Sequence, residues 1–247
     1  MGDLQGRTVL VTGGSRGLGW EMVRGFAGQG ADVVIVSRKQ HHCDERAELI
    51  SNEFGVRAFA RACNVGDWAD CDALIHWVEH EVGELDVLVN NAGMSPLYPS
   101  VDQVGESLFD KVIATNLKGP FRLSAALGTR MAAGRGGSII NISSIEAGRP
   151  TATAVPYSAA KAGLNAMTVG LAQALAPKVR VNAIQAGPFR TDISNAWGPE
   201  AFEQIAQSFA LARAGQPDEI VGAALFFATD ASAYCTGSIL RVDGGPR

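Results

Sequence analysis
Short β-branched runs alternate with longer stretches of helical periodicity along the whole chain, and few folds accommodate that alternation. The runs are Thr8-Val9-Leu10-Val11, Val33-Val34-Ile35-Val36, Val87-Leu88-Val89, Ser138-Ile139-Ile140-Asn141-Ile142 and Val179-Arg180-Val181-Asn182-Ala183-Ile184. They are apolar at nearly every position, as strands covered on both faces must be, which a parallel sheet between two helical layers requires. Helical patterns fill the intervals at about 17–29, 43–54, 67–81, 106–133, 156–177 and 217–228. Connections of this length imply right-handed βαβ crossovers and a Rossmann-type, doubly wound α/β sheet in three layers. No repeat or linker interrupts the pattern, so residues 1–247 are expected to form one domain. The stretch 188–206, which holds Asn195, Trp197, Gly198 and Pro199, is less regular. It reads either as a mobile substrate lid or as a plain surface loop.

A chain of 247 residues suits one large domain. Its 47% hydrophobic and 19% charged content, against a usual charged share of ~25%, excludes a disordered protein. A net charge of −4 gives no basic face for nucleic acid or anionic lipid. Neither an apolar signal core in Met1–Arg7 nor an apolar stretch of ~20 residues is present, so a cytoplasmic protein without a membrane partner is expected. Cys43, Cys63, Cys71 and Cys235 are far apart and form no C-x-x-C, which reads as reduced packing residues. His76 and His80 share a helical face near Glu79 and Glu81, but with no third ligand in view a solvated face is preferred to a metal site.

The 29 glycines exceed the usual ~7% share, and several gather where the first strand meets the first helix. There Thr12-Gly13-Gly14-Ser15-Arg16-Gly17-Leu18-Gly19-Trp20 spaces its glycines G-x-x-x-G-x-G. Glycines at such a turn let main-chain N–H groups face a phosphate at the positive end of the helix dipole. A dinucleotide site is expected at Gly13, Ser15, Arg16, Gly17, Leu18 and Gly19. An NAD site wants a carboxylate at the end of the second strand to accept from the ribose 2′-hydroxyl. This chain has Ser37-Arg38-Lys39 there and no acid before Asp44. Arg16, Arg38 and Lys39 can instead surround a 2′-phosphate, which makes NADP the expected cofactor. The alternative is that Arg38 and Lys39 are ordinary surface cations.

Tyr157 and Lys161 open a helix after Pro156 at i, i+4, with phenol and ammonium on one face. A free tyrosine, with a pKa of about 10, shuttles protons poorly near neutrality unless a nearby cation favours phenolate, which Lys161 and an oxidised nicotinamide ring are both expected to do. Ser143 and Ser144 close a buried strand at its C-terminal end, where open α/β sheets place their ligands.

With these residues in place the chain resembles the short-chain dehydrogenase/reductases over essentially its whole length. The resemblance is carried by Thr12-Gly13 through Gly19, Asn90-Asn91-Ala92-Gly93, Asn116, Ser144, the Tyr157/Lys161 pair and Val242-Asp243-Gly244-Gly245. It implies that Tyr157 is the acid/base of hydride transfer between NADP(H) and a ketone or secondary alcohol. Lys161 would lower the tyrosine pKa and bind the nicotinamide ribose, and Ser144 rather than Ser143 would hold the substrate oxygen. Asn116 would sit in a helix distortion and hold a water reaching Lys161. Asn91, Ala92 and Gly93 would line the adenosine-ribose and pyrophosphate side, with Asn90 bracing the sheet. Ser37, Asn64 and Val65 would flank the adenosine half, and Phe189 and Thr191 the nicotinamide half. The family often has Asp where this chain has Asn64, whose amide oxygen can still accept from the adenine amine; it usually has Pro-Gly where this chain has Ala186-Gly187, so a looser loop start is expected there.

By the same analogy Ser95, Leu97, Glu146, Val155, Phe189 and Trp197 lie near the reactive carbon. This mainly apolar set implies a neutral or moderately apolar carbonyl compound, with Glu146 otherwise a rim residue beside Arg149. Family members pair through helices corresponding to 106–133 and 156–177, and the small residues Ala125, Ala126, Gly128, Gly163, Ala166 and Gly170 imply a homo-oligomer, dimer or tetramer. An NAD-dependent alcohol or sugar dehydrogenase and a non-catalytic NADP-binding scaffold are the alternatives. Asn116, Ser144, Tyr157 and Lys161 together argue against the scaffold. The intact glycine turn argues against a lyase or dehalogenase on the same fold.

Overall fold
The computed structural model describes residues 4–191, 194 and 198–245. Seven parallel strands, β1 (Thr8–Thr12), β2 (Asp32–Ser37), β3 (Ala58–Ala62), β4 (Val87–Asn90), β5 (Gly137–Ser144), β6 (Val179–Ala186) and β7 (Ile239–Val242), form one sheet in the order β3-β2-β1-β4-β5-β6-β7. The helices are α1 (Gly17–Ala27), α2 (Gln40–Phe54), α3 (Trp68–Trp77), α4 (Glu106–Ile113), α5 (Gly119–Ala133), α6 (Val155–Ala174), α7 (Pro199–Gln207) and α8 (Val221–Ala228). The strand order reverses between β1 and β4, and the loops leaving those two strands part around a crevice at the C-terminal edge of the sheet.

The continuous apolar runs are explained by two cores, one on each face. Val9, Val11, Val33 and Ile35 point to one side, among Phe26, Ile50 and Phe227 of α1, α2 and α8. Leu10, Val34 and Val36 point to the other, among Leu74, Leu123 and Leu127 of α3 and α5. Alternate strand residues thus serve opposite layers, and both sets must be apolar. Across the central strands Asn90 donates to Ser124 Oγ (2.8 Å) and Asn141 Oδ1 (2.9 Å), and Asn141 donates to Thr168 Oγ1 (2.9 Å). Asn90 therefore braces the sheet, as expected.

The structure departs from the sequence pattern in four places. β3 and β7 lie outside the β-branched runs because they are the sheet's edges, where half-exposed Ala-Phe-Ala-Arg-Ala and a four-residue strand suffice. The stretch 106–133 is not one helix, since a wide turn at Ala114–Lys118 separates α4 from α5. The second half of 188–206 is helical, and Phe202 and Ala206 of α7 are buried with Ala214. The small-residue faces also serve this chain's own packing in part: a Cβ on Gly128 would meet Leu175 at 2.6 Å and one on Gly163 would meet Leu117 at 3.1 Å, whereas Gly170 faces open space.

Candidate active site
The turn from β1 into α1 is built on absent side chains. A Cβ on Gly13 would lie 2.9 Å from Asn91 Nδ2 and 3.0 Å from Ala92 Cα, one on Gly14 2.9 Å from the Val11 carbonyl, and one on Gly19 would collide with the Gly13 carbonyl. Gly13 and Gly17 also adopt φ of +66° and +54°, the left-handed region that favours glycine. No side chain caps α1, so the N–H groups of Gly17, Leu18 and Gly19 open the helix toward the crevice. Thr12 locks this turn to the loop after β4. Its Oγ1 donates to the Val89 carbonyl (3.2 Å) and accepts from the N–H groups of Asn91 (3.0 Å) and Ala92 (3.1 Å), while Asn91 Nδ2 donates to the carbonyls of Thr12 (2.9 Å) and Gly13 (3.3 Å).

Arg16, in the turn before α1, and Arg38 and Lys39, which follow β2, are exposed. Ser37 Oγ shares a hydrogen bond with Cys43 Sγ (3.0 Å). On the adenine side Asn64 is exposed and Val65 is buried, its side chain part of the core. On the nicotinamide side Phe189 is buried against Gly215, and Thr191 lies beside Gly17.

The reactive end lies where β5 and α6 meet. Ser144 ends β5 with 8% exposure, and Tyr157 and Lys161 occupy the first two turns of α6. Lys161 Nζ donates to the Ile142 carbonyl (2.7 Å) and lies 5.6 Å from the Tyr157 ring centre. Asn116 sits inside the wide turn, with Nδ2 donating to the carbonyls of Met94 and Val112 (both 2.9 Å) and Oδ1 accepting from Met94 N–H (3.2 Å). Gly93 separates it from Lys161: a Cβ there would be 2.9 Å from Asn116 Oδ1 and 3.6 Å from Nζ. Burial lowers the Lys161 pKa to about 8. Tyr157 is raised above its ordinary value, chiefly by burial and also by the nearby Glu146 carboxylate, against a hydrogen bond from the Ser144 hydroxyl that favours phenolate. The expected depression by Lys161 is therefore corrected: the ammonium is turned to a backbone carbonyl, and lost hydration dominates.

The model of the family described as Enoyl-(Acyl carrier protein) reductase matches residues 13–246. Dehydrogenase/reductase SDR family member 4 of Bos taurus is 35% identical over 245 residues, covering 98% of this chain and 88% of the relative. The 5-keto-D-gluconate 5-reductase of Escherichia coli K12 is 34% identical over 248 residues, covering 98% and 96%. A gluconate 5-dehydrogenase from Burkholderia cenocepacia, solved in complex with NADP and tartrate, superposes with a TM-score of 0.92 at 33% identity, over 98% of this chain and 95% of that one. The chain belongs to the short-chain dehydrogenase/reductase family.

Against the short-chain dehydrogenase/reductase pattern, the structure brings Ser144, Tyr157, Lys161, Asn116 and Gly93 together, and it brings Gly13–Gly19, Asn91, Ala92 and Thr191 together around the crevice. Trp197 lies outside the described residues. The side chain of Asn116 bonds the main chain of Met94 and Val112. The expected looseness at Ala186-Gly187 is overturned, because Gly187 N–H donates to the Val242 carbonyl (3.0 Å) and a Cβ on Gly187 would be 2.5 Å from Asp243 Cα. Glu146 accepts from Thr151 and Ser158 and stands at the active site, beyond the rim role considered for it. Among the described residues no cluster of His, Cys, Asp or Glu is arranged to hold a metal, and no helix is long and apolar enough to cross a membrane.

Two contributors escaped the sequence reading. Arg46 of α2 donates from Nε to the Ser15 carbonyl (3.2 Å) while its guanidinium lies 4.4 Å over the Trp20 ring, clamping the glycine turn. Tyr98 donates to the Ala152 carbonyl and accepts from Val155 N–H (both 2.8 Å), pinning the segment that enters α6. Neither follows from spacing, since each joins elements whose adjacency only the fold creates.

Proposed function
We propose that this chain is an NADP-dependent oxidoreductase that interconverts a ketone and its secondary alcohol, with Tyr157 as acid/base. The observation that carries the reading is the convergence of Ser144, Tyr157 and Lys161 beside a crevice whose glycines leave no room for side chains. The donor set fits the dinucleotide. The uncapped start of α1 suits a pyrophosphate, and Arg38 and Lys39, exposed and without an ion-pair partner among the described residues, suit a 2′-phosphate that a carboxylate at this place would repel. Asn64 and the backbone of Val65 serve the adenine, Ser37 the ribose, and Phe189 and Thr191 the nicotinamide half. NADP(H), when bound, supplies or accepts the hydride.

The chain's own groups manage the oxygen. Ser144 Oγ donates a hydrogen bond to the carbonyl oxygen, and Tyr157 Oη transfers its proton there as negative charge develops. Burial keeps the phenol protonated, so Tyr157 enters the reductive direction as the acid. Lys161 holds a ribose hydroxyl, its Nζ 5.6 Å from the Tyr157 ring centre.

The substrate is read as a neutral or moderately apolar carbonyl compound held by Ser144, Tyr157 and Trp197, with 188–206 as a lid, because the Glu146 carboxylate is already engaged by Thr151 and Ser158. A homo-oligomer in the cytoplasm completes the reading. The half-exposed Trp68, Phe109 and Phe121 on α3, α4 and α5 support the first, and four unpaired cysteines support the second. The test is a fluorescence titration with NADPH and NADH on wild type and Arg38→Asp. The reading expects tighter NADPH binding that reverses in the variant. Equal or NADH-favoured binding by wild type overturns the NADP assignment.

A further inference from the structure
The first turn of α6 carries Tyr157, yet the helix has no side-chain cap of its own: Ala154 stands at the N-cap position. What holds this end comes from outside it. The Glu146 carboxylate, in the short turn Ile145–Ala147 that follows Ser144, accepts from Thr151 N–H (2.9 Å), Thr151 Oγ1 (3.0 Å) and Ser158 Oγ (2.6 Å). Its own N–H donates to Ser144 Oγ (3.2 Å). One residue thus grips Ser144 through its main chain and, through its side chain, the neighbour of Tyr157. The Ser158 hydroxyl has one hydrogen and two acceptors in reach, the Ala154 carbonyl (3.0 Å) and the carboxylate, and the shorter, charge-assisted bond is the stronger. A negative charge at a helix N-terminus is also favoured by the helix dipole.

We infer that Glu146 is a positioning residue for the acid/base pair: it ties the turn after β5 to the start of α6 and so sets the separation and alignment of the Ser144 and Tyr157 hydroxyls. Among the described residues the charged groups facing the phenol are Lys161 of its own helix and Glu146. β5 presents the Ser144 hydroxyl to it, and the loop after β4 and the Ala114–Lys118 turn place Gly93 and Asn116 on the Lys161 side of the pair, none of them ionisable. Glu146 thereby has a second, electrostatic effect. Its charge disfavours phenolate and keeps the proton on Tyr157 in the reductive direction.

The inference rests on the assignment of Tyr157 as acid/base, and the two are separable by experiment. Steady-state pH profiles of ketone reduction and alcohol oxidation with NADP(H) are measured on the whole enzyme for wild type, Glu146→Gln, Ser158→Ala and Tyr157→Phe. Glu146→Gln is expected to lower kcat about tenfold, as a small misplacement of reacting groups does, to leave the KM for NADPH within about twofold, and to move the tyrosine limb to lower pH. Ser158→Ala removes one bond and no charge, so it lowers kcat less and leaves the limb in place. A Glu146→Gln enzyme with wild-type kcat and an unmoved limb, beside an inactive Tyr157→Phe, overturns the inference alone. Wild-type turnover by Tyr157→Phe overturns the acid/base assignment and this inference with it. Should Glu146→Gln fail to fold, the Thr151→Val/Ser158→Ala double variant decides: lowered kcat with unchanged NADPH affinity supports the inference, and wild-type kcat overturns it.

Discussion
Lys161 is a buried ammonium, 4% exposed, with the Ile142 carbonyl as its backbone acceptor. Burial brings its pKa to about 8 in the folded protein, against about 10.4 in an unfolded chain. Between these values the unfolded chain holds a proton that the folded protein has released, so unfolding free energy rises with pH across that window. Thermal denaturation of cofactor-free wild type and Lys161→Met at pH 7.5 and 9.5 should therefore show wild type gaining on the variant at the higher pH. A constant difference contradicts the burial assigned to this group. Tyr157, raised in the folded state, acts in the opposite direction and only above pH 10 or so, outside the comparison.

At the scale of elements, the β1–α1 turn joins phosphate binding to the sheet. A Cβ on Gly19 collides with the Gly13 carbonyl and lies 2.5 Å from Asn91 Nδ2, and both are held by Thr12 and its partners. Gly19→Ala is expected to cost about 1–3 kcal/mol as an overpacking substitution, and to weaken NADPH binding by widening the turn. Calorimetry and titration of the variant check both, and wild-type values in each contradict the packing described. The same elements show what a sequence reveals. Central strands announce themselves because both faces are buried, whereas β3 and β7 are edge strands whose half-exposed residues follow no apolar rule. Tyr157 and Lys161 were legible because one helical turn relates them. Glu146 was expected near the reactive carbon, but its hold on Thr151 and Ser158 was not legible, because those partners reach it across a loop. The direction of the tyrosine shift is not legible for a related reason: burial, invisible in spacing, outweighs a cation that geometry turns elsewhere.

At the scale of the molecule, Trp68, Phe109, Phe121 and Val169 leave half-exposed apolar surface on α3, α4, α5 and α6, and Gly170 of α6 faces open space. The homo-oligomer proposed above would cover this surface. Light scattering should give a multiple of 25.9 kDa for wild type and a smaller mass for Gly170→Arg, while a wild-type monomer at working concentration contradicts the assembly. The central claim is narrower: this sheet and its loops bring an acid/base tyrosine to a carbonyl beside bound NADP(H). NADPH oxidation by wild type and Tyr157→Phe over a panel of ketones, 5-keto-D-gluconate included, with NADPH binding measured in parallel, tests it most directly. The account predicts that Tyr157→Phe binds NADPH as wild type does and loses roughly 10²- to 10⁴-fold in turnover. A variant that turns over as fast as wild type would contradict it.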